Sequence, residues 1–356
     1  MDRQDIIRWL QEEDPQRLEN LWRAADEQRR RFVGPQVYLR GLIEFSNICR
    51  RHCGYCGLRA ENADVTRYRM TEQEVLDCAD KAVTLGYGTV VLQSGEDPGV
   101  TCQWLYDIIR KIKSRTPLAV TLSVGERETT ELAAWREAGA DRYLLRFETS
   151  DPALYERIHP PLGSKRTDRL AMLATLRKLG YEIGSGVMVG ITGQTYGSLA
   201  NDIELFGRLD LDMIGVGPWI AHPGTPLGAP GEPPPASIYQ VPATELMTYK
   251  VLALSRLMCP MANIPSTTAL ATINTAQGRE LGLQRGANIV MPNLTPVKYR
   301  SLYAIYPGKA CINETAEACQ QCLSRRVESI GRTIGQGRGD SPRYGRDMSM
   351  RQEDVS

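Results

Sequence analysis

Residues 43–59 read IEFSNICRRHCGYCGLR, and this stretch decides how the rest of the chain is interpreted. Cys49, Cys53 and Cys56 fall in a C-x3-C-x2-C spacing on a loop that follows an expected β-strand. Three thiolates without an obvious fourth ligand suit an iron–sulfur cluster that keeps one iron open. A closed structural zinc site, the alternative, needs a fourth ligand. His52 is a candidate, but it adjoins Cys53, and neighbouring side chains in a tight loop seldom converge on one metal.

Length and composition restrict the class of protein. The chain has 356 residues, enough for one large α/β barrel or two ordinary domains. Hydrophobic residues make up 42% and charged residues 24%, as in a globular protein with a large core. A net charge of +1 gives no indication of a nucleic-acid or acidic-membrane partner. The charged start and the lack of a long apolar run predict a cytoplasmic protein that does not cross a membrane.

Cysteine spacing indicates a second candidate metal site. Cys311, Cys319 and Cys322 form another tight group near the end of the chain. In an apparently cytosolic protein, such groups are more typical of metal sites than of disulfides. The other cysteines are expected to be small buried hydrophobic residues, and they are Cys78, Cys102 and Cys259.

Apolar periodicity predicts an α/β fold in which strands and helices alternate. The expected strands are 37–46, 89–95, 118–124, 142–147, 181–190, 213–219, 263–268 and 288–292. The expected helices are centred near 71–86, 102–115, 128–139, 167–179, 195–208, 242–258 and 275–285. Eight strands in this alternation favour a closed TIM-type (β/α)8 barrel. A six-stranded partial barrel with extra elements is the alternative.

The same patterns predict how the chain divides into segments. Residues 1–34 form an expected N-terminal helical cover, and 35–295 the barrel. Residues 296–332 form a short C-terminal extension that carries the second cysteine group. Residues 333–356 are expected to be a flexible tail, since they are polar and rich in Gly and Arg at their start. The Pro/Gly-rich segment 223–235 is expected to be a loop over the barrel mouth.

Several chemically distinctive residues follow the predicted strands, and barrel active sites form at those strand ends. Gly95 and Glu96 end the second strand, and Ser123 lies at the end of the third. Arg146 and Glu148 follow the fourth strand and are expected to face a polar ligand. The alternatives are an ordinary turn at Gly95–Glu96 and a structural ion pair between Arg146 and Glu148.

Two further positions suit an anionic or flat ligand. Arg169 opens a predicted helix, where a guanidinium could pair with a carboxylate. Met188 lies in the strand around 184–190, whose small residues allow the backbone to approach a flat group such as adenine. An exposed helix-surface arginine and a glycine bend are the corresponding structural alternatives.

These features together resemble the radical S-adenosylmethionine (SAM) enzymes. The cysteine spacing, the aromatic residue before the last cysteine and the preceding strand carry the resemblance. It implies that Cys49, Cys53 and Cys56 hold a catalytic [4Fe–4S] cluster. It further implies that SAM binds the open iron and that an external donor supplies the electron for its cleavage. The residues expected to bind SAM are Tyr55, Gly95, Glu96, Ser123, Glu148, Arg169 and Met188.

A narrower resemblance is to the [FeFe]-hydrogenase maturases called E maturases. Its motifs include EFSN, YCGLR, RYRMT and LQSGEDP, then HPGTP, IPSTTA and GANIVMPN, and they span roughly residues 30–332. This family is expected to act on an organometallic iron–cysteine complex with CO and cyanide. A sister maturase makes that complex, and a scaffold GTPase receives the product. The implied substrate cavity is lined by Arg146, Thr267, Thr268, Met291, Tyr303 and Tyr306.

The resemblance also implies an auxiliary [2Fe–2S] or [4Fe–4S] cluster at the 311/319/322 cysteines, with a vestigial or zinc site as the alternative. Phe147 departs from the family, in which we expect a histidine facing the cavity. Biotin synthase is disfavoured because the third and fourth strand ends carry no cysteines. A methylornithine-synthase-like amino-acid mutase remains an alternative enzyme. A non-catalytic iron–sulfur scaffold is the alternative outside enzymes.

Overall fold

The computed structural model describes residues 1–163, 168–229 and 239–343. Within them, seven parallel strands form one curled sheet in the order β6-β5-β4-β3-β2-β1-β7. The strands are β1 (Tyr38–Ser46), β2 (Thr89–Ser94), β3 (Ala119–Ser123), β4 (Arg142–Leu144), β5 (Glu182–Val189), β6 (Met213–Pro218) and β7 (Ile289–Val290). The predicted α/β barrel is therefore confirmed as a fold class.

Helices alternate with these strands and surround the sheet. They are α1 (Arg3–Gln11), α2 (Pro15–Val33), α3 (Glu72–Thr84), α4 (Cys102–Arg115), α5 (Thr129–Glu137), α6 (Pro152–Ile158), α7 (Arg169–Lys178), α8 (Tyr196–Arg208), α9 (Glu245–Met258), α10 (Thr268–Ile273), α11 (Gly278–Gln284), α12 (Val297–Arg300) and α13 (Ala316–Ser329). The predicted capping box at the start of α3 is present, with reciprocal bonds between Thr71 and Glu74.

The predicted strand at 263–268 is the one clear difference from a regular barrel. Asn263 makes an isolated parallel bridge to Met213 of β6, and Pro265 makes another to Ile289 of β7. A proline has no N–H to donate to a ladder, so a continuous strand through Pro265 is disfavoured. The segment nevertheless joins the two edges of the sheet and closes the ring of backbone contacts.

The N-terminal helices pack on the outside of the barrel. α1 lies against α8, and α2 lies against α9. The buried Lys250 of α9 donates to the carbonyl oxygen of Leu10 at 2.9 Å. Arg285 lies over the rings of both Trp22 and Tyr249, with its guanidinium 4.9 and 4.3 Å from their centroids. Charged side chains therefore tie the first helices to the wall of the barrel.

The C-terminal segment 334–341 corrects our expectation of a flexible tail from residue 333. Ile334 bridges Val37, beside β1. The carbonyl oxygen of Gly339 accepts a bond from Arg40 at 2.9 Å, while Asp340 pairs with Arg142. Its polar composition suggested disorder, but the segment supplies the acceptors that two buried arginines at the barrel floor require.

Two predicted segments lie partly outside the described residues. The parts outside are 230–235 of the loop over the barrel mouth and 344–356 of the tail. Among the described helices, none has both the length and the apolar character needed to span a membrane. The segment boundaries drawn at 34, 295 and 332 stay predictions.

Candidate active site

One cavity of about 360 Å³ lies inside the barrel, beneath the cysteine loop. It extends from that loop to Arg40 near the barrel floor. Every residue that we predicted for the first cluster, for SAM and for the substrate lines it. They are Cys49, Cys53, Tyr55, Cys56, Gly95, Glu96, Ser123, Arg146, Glu148, Arg169, Met188, Thr267, Thr268, Met291, Tyr303 and Tyr306. The structure therefore brings these residues together around one space.

Backbone hydrogen bonds from several elements fix the cysteine loop. The amide of Gly54 donates to the carbonyl of Ile158 at 2.8 Å, at the end of α6. The amide of Gly57 donates to the carbonyl of Ile305 at 3.0 Å. The amide of Arg50 donates to the carbonyl of Glu96, which follows β2. The loop is thus positioned by distant parts of the chain, which the local sequence cannot reveal.

The three thiols at this loop are free and at least half-buried. Burial raises the pKa of Cys49, Cys53 and Cys56, in the last case to about 12. A bound metal counteracts this effect, because coordination favours the thiolate. The chemistry of the donors therefore suits a cationic cluster at the mouth of the cavity.

The spacing of the thiols argues against a single zinc ion. Among the described residues, the cluster of three candidate ligands with all ligand atoms within 4.8 Å is Glu96, Glu126 and His159. The cysteine trio is not such a group. Ligands around one zinc ion lie about 3.8 Å apart, given Zn–S bonds of about 2.3 Å. A multi-iron cluster has thiolate ligands on different irons and so tolerates the wider spacing.

A buried network of arginines and carboxylates lies beside the cysteine loop. Arg51 donates to Glu96 and to Glu126, each at 2.5 Å. Arg169 donates to Glu126 at 2.8 Å and to the carbonyl of Arg146 at 2.7 Å. Glu96 also accepts from the amide of Glu126 at 3.0 Å. The surface-arginine alternative for Arg169 is wrong, since this side chain is buried and lines the cavity.

A glycine makes room for this network. Gly125 follows β3 with φ +76°, and a Cβ there would overlap the side chain of Glu96. Only glycine adopts this backbone region at little cost. Of the residues in this network, Glu96 and Arg169 were predicted as site residues, and Arg51 and Glu126 were not. Their pairing depends on the loop, β2 and β3 meeting at the barrel mouth.

His159 also joins the network, and the sequence analysis missed it. Its Nε2 lies 2.5 Å from Nη2 of Arg169, and its ring stacks on Tyr155 with centroids 5.1 Å apart. Burial and the neighbouring Arg169 lower the pKa of His159 to about 3. The imidazole is therefore neutral. A lone histidine after a short helix gave no signal of this contact.

Arg146 and Glu148 form an ion pair at 3.0 Å on the cavity wall. Glu148 has φ +65°, a backbone region that non-glycine residues seldom adopt. The amide of Glu148 donates to the carbonyl of Gly186 at 3.0 Å, which holds it beside β5. Strain of this kind is common at functional sites.

Phe147 does not face the cavity, contrary to our expectation for this position. Its buried ring packs against Phe206 of α8, with the centroids 5.7 Å apart. Phe147 is not among the residues that line the cavity, whereas Arg146 and Glu148 on either side of it are. The side chain at this position therefore contributes to the contact between the sheet and α8.

The opposite wall carries a second buried ion pair. Lys309 pairs with Glu44 of β1, and its ammonium lies 5.1 Å from the ring centroid of Tyr303. The hydroxyl of Tyr303 accepts from Gln93 at 3.3 Å. Tyr306 is the next tyrosine along this wall. Sequence analysis found the tyrosines but missed Lys309, because its partner lies 265 residues earlier in the chain.

Apolar side chains border the cavity on the side of the cysteine loop. Met188 packs in a cluster that includes Ile158 and partly buried Tyr55 and Trp219. The indole nitrogen of Trp219 is buried without a hydrogen-bond partner among the described residues, and Trp219 lines the cavity. This side of the site combines flat apolar surface with a free donor, which suits a nucleoside.

The second cysteine group lies outside the lining of the cavity. Nη2 of Arg279 lies 3.5 Å from the Cys311 sulfur, and Cys319 is buried. Cys322 is exposed, on α13. None of the three lines the cavity, so this group is peripheral to it, as predicted.

Comparisons with known proteins agree with this geometry. The Radical SAM superfamily profile matches residues 43–206. The [FeFe] hydrogenase maturase subunit HydE of Thermotoga maritima is 45% identical over 91% of this chain and 89% of its own. The 3-methylornithine synthase of Methanosarcina barkeri is 28% identical over 82% of this chain and 79% of its own.

The fold has a counterpart among solved structures. The crystal structure of a methylornithine synthase has a TM-score of 0.77 and covers 94% of both chains, at 24% sequence identity. At that identity the likeness supports the fold alone. The higher identity to the hydrogenase maturase also confirms the narrower resemblance drawn from the motifs. The chain therefore belongs to the radical SAM superfamily and, within it, to the family of the [FeFe]-hydrogenase maturase subunit HydE.

Proposed function

We propose that this protein is a radical SAM enzyme that acts in [FeFe]-hydrogenase maturation. Cys49, Cys53 and Cys56 would hold the [4Fe–4S] cluster. The observation that carries the proposal is their shared position on one fixed loop, at the mouth of the cavity that all the other predicted site residues line. Three wide-set thiols leave one position of a four-iron cluster open to a ligand.

When bound, the cluster would supply the electron, taken from an external donor, for the reductive cleavage of SAM to methionine and a 5′-deoxyadenosyl radical. The chain's own residues would bind and orient SAM. Arg169 would hold its carboxylate, and Glu96 would accept from its amino group. Tyr55 and Met188 offer apolar surface to the adenosyl part, with Gly95, Ser123 and Glu148 around it. The enclosed cavity excludes water from the reacting groups.

The substrate that we propose is an organometallic iron–cysteine complex carrying CO and cyanide. Such a complex is compact and anionic, and the cationic groups that line the cavity include those of Arg146 and Lys309. The hydroxyl and thioether groups expected to surround it are those of Thr267, Thr268, Met291, Tyr303 and Tyr306. The proposed partners are a sister maturase that supplies the complex and a scaffold GTPase that receives the product, in the cytoplasm.

An auxiliary [2Fe–2S] or [4Fe–4S] cluster at Cys311, Cys319 and Cys322 forms part of the proposal. Cys319 and Cys322 both lie on α13, where Cys322 follows Cys319 by about one helical turn. Because none of the three cysteines lines the cavity, we assign the group no step in SAM cleavage.

Hydrogenase activation tests the proposed function. An [FeFe]-hydrogenase apoprotein is expressed with the other maturases, with and without this chain, and hydrogen evolution is measured anaerobically. We expect activity that depends on this chain and is absent with the Cys53→Ala variant. If the wild-type chain cleaves SAM yet activates no hydrogenase, the assignment to hydrogenase maturation is wrong.

A further inference from the structure

His159 occupies a place in the network for which its imidazole ring is well suited. It follows α6 directly and is 3% exposed. Its ring lies between Tyr155, on which it stacks, and the guanidinium of Arg169. Its Nε2 is 2.5 Å from Nη2 of Arg169 and 3.8 Å from the nearest carboxylate oxygen of Glu126. The close contact of the ring nitrogen is therefore with the arginine.

The direction of this hydrogen bond follows from the chemistry of the two groups. A guanidinium carries N–H donors and no acceptor. Nε2 of His159 must therefore be unprotonated and accept from Arg169, which leaves the ring proton on Nδ1. The charges around His159 also favour the neutral imidazole. Arg51 and Arg169 already balance Glu96 and Glu126, so an imidazolium would add an unmatched positive charge against Arg169.

Arg169 is consequently held at three points. Nε donates to Glu126, Nη1 to the carbonyl of Arg146, and Nη2 to His159. A guanidinium has five N–H donors, so one on each of the two terminal nitrogens has no partner among the described residues. Donors on both terminal nitrogens can match the two oxygens of a carboxylate. The three contacts fix the plane of the guanidinium.

We infer that His159 is a positioning residue, which orients the guanidinium of Arg169 toward the carboxylate of SAM. The inference rests on the proposed function, since it takes SAM as the ligand. The residue before it strengthens the case, because the carbonyl of Ile158 accepts from Gly54 in the cysteine loop at 2.8 Å. Ile158 thus fixes the cysteine loop through its backbone carbonyl. His159 fixes Arg169 through its side chain.

Two variants separate the hydrogen-bond role from simple packing. His159→Gln keeps an acceptor within reach of Arg169 but loses the ring on Tyr155. His159→Phe keeps a ring on Tyr155 but loses the acceptor. Both full-length proteins are reconstituted with iron and sulfide, and iron content confirms loading. The KM for SAM and the kcat for 5′-deoxyadenosine formation are then measured with dithionite as reductant.

We expect His159→Phe to raise the KM for SAM roughly 10- to 100-fold, the effect of losing one buried hydrogen bond to a charged group. Its kcat should fall much less, and His159→Gln should recover most of the wild-type KM. The reverse order, with Phe close to wild type and Gln impaired, would assign His159 to packing and overturn the inference. Wild-type protein that does not cleave SAM would refute the proposed function itself, and the inference with it.

Discussion

Gly95 packs directly against Cys49, so closely that no side chain fits between them. A Cβ on Gly95 would lie 2.7 Å from the Cβ of Cys49 and closer still to the carbonyl oxygen of Ile48. The end of β2 and the cysteine loop therefore touch through backbone. Gly95 therefore has a steric role at the cysteine loop as well as a proposed role in SAM binding.

The Gly95→Ala variant tests this contact. The methyl group must push the cysteine loop away, because the backbone at Ile48 cannot yield as a flexible side chain would. We expect a loss of about 1–3 kcal/mol in unfolding free energy, with lower iron content after reconstitution. Gly197→Ala is the matched control, since its Cβ would meet nothing nearer than 3.8 Å. Equal iron loading in both variants would contradict the steric argument.

Cysteine variants distinguish the two groups. Cys49→Ala, Cys53→Ala and Cys56→Ala should each abolish 5′-deoxyadenosine formation, because each removes a ligand of the proposed reactive cluster. Cys319→Ala should retain most of it, since Cys319 lies outside the cavity. Cys102→Ala, at the start of α4, serves as a control without a proposed role. Cleavage retained in any of the first three variants would count heavily against the proposed site.

Asp202 of α8 predicts a pH dependence of stability. Burial raises the pKa of its carboxyl to about 7, although Ser150 donates to it through N and Oγ. The folded state therefore binds a proton that the unfolded state releases between about pH 4 and 7. This contribution to stability is present at low pH and is lost as the pH rises through 7.

The Asp202→Asn variant removes that titration. As the pH rises from 4 to 8, the difference in unfolding free energy between the variant and the wild type should shift by about 2–4 kcal/mol in favour of the variant. Denaturant unfolding at several pH values measures the difference. If the two proteins show parallel pH profiles, the carboxyl of Asp202 is not held protonated in the fold.

The buried ion pairs of Arg142 are expected to stabilise the floor of the barrel. It is fully buried at the start of β4, 3.0 Å from Glu182 and also paired with Asp340. Arg142→Met leaves the buried Glu182 without its ion-pair partner, which costs about 3–5 kcal/mol of unfolding free energy. Arg110→Met, on the exposed face of α4, should change stability by about 0.5 kcal/mol or less. Comparable losses in the two variants would disprove the role of the floor network.

Much of the fold followed from sequence, because parallel strands in a barrel are apolar runs separated by helices with clear caps. Because the strand boundaries were clear, the residues at the strand ends could be identified as candidates for the site. Those predicted residues line one cavity. The predicted strand at 263–268 was wrong in detail, since Pro265 limits the ladder to isolated bridges. Hydrophobic periodicity detects the apolar run but does not show that Pro265 lacks a backbone N–H donor.

The site residues that the sequence did not predict share one property: residues far away in the chain form their environment. His159 becomes informative only beside Arg169, and Lys309 only beside Glu44. The segment 334–341 looked disordered because its Gly, Arg and Asp residues bury little apolar surface. Its partners are buried charges at the start of β1 and β4, and no local pattern links them.

The central claim is that the cavity beneath Cys49, Cys53 and Cys56 binds a cluster that cleaves SAM. The most direct test is EPR of the anaerobically reconstituted, reduced protein with and without SAM, with 5′-deoxyadenosine measured in the same samples. We predict a four-iron signal that shifts on SAM addition, together with 5′-deoxyadenosine. A signal indifferent to SAM, or zinc bound in place of iron, would contradict the account.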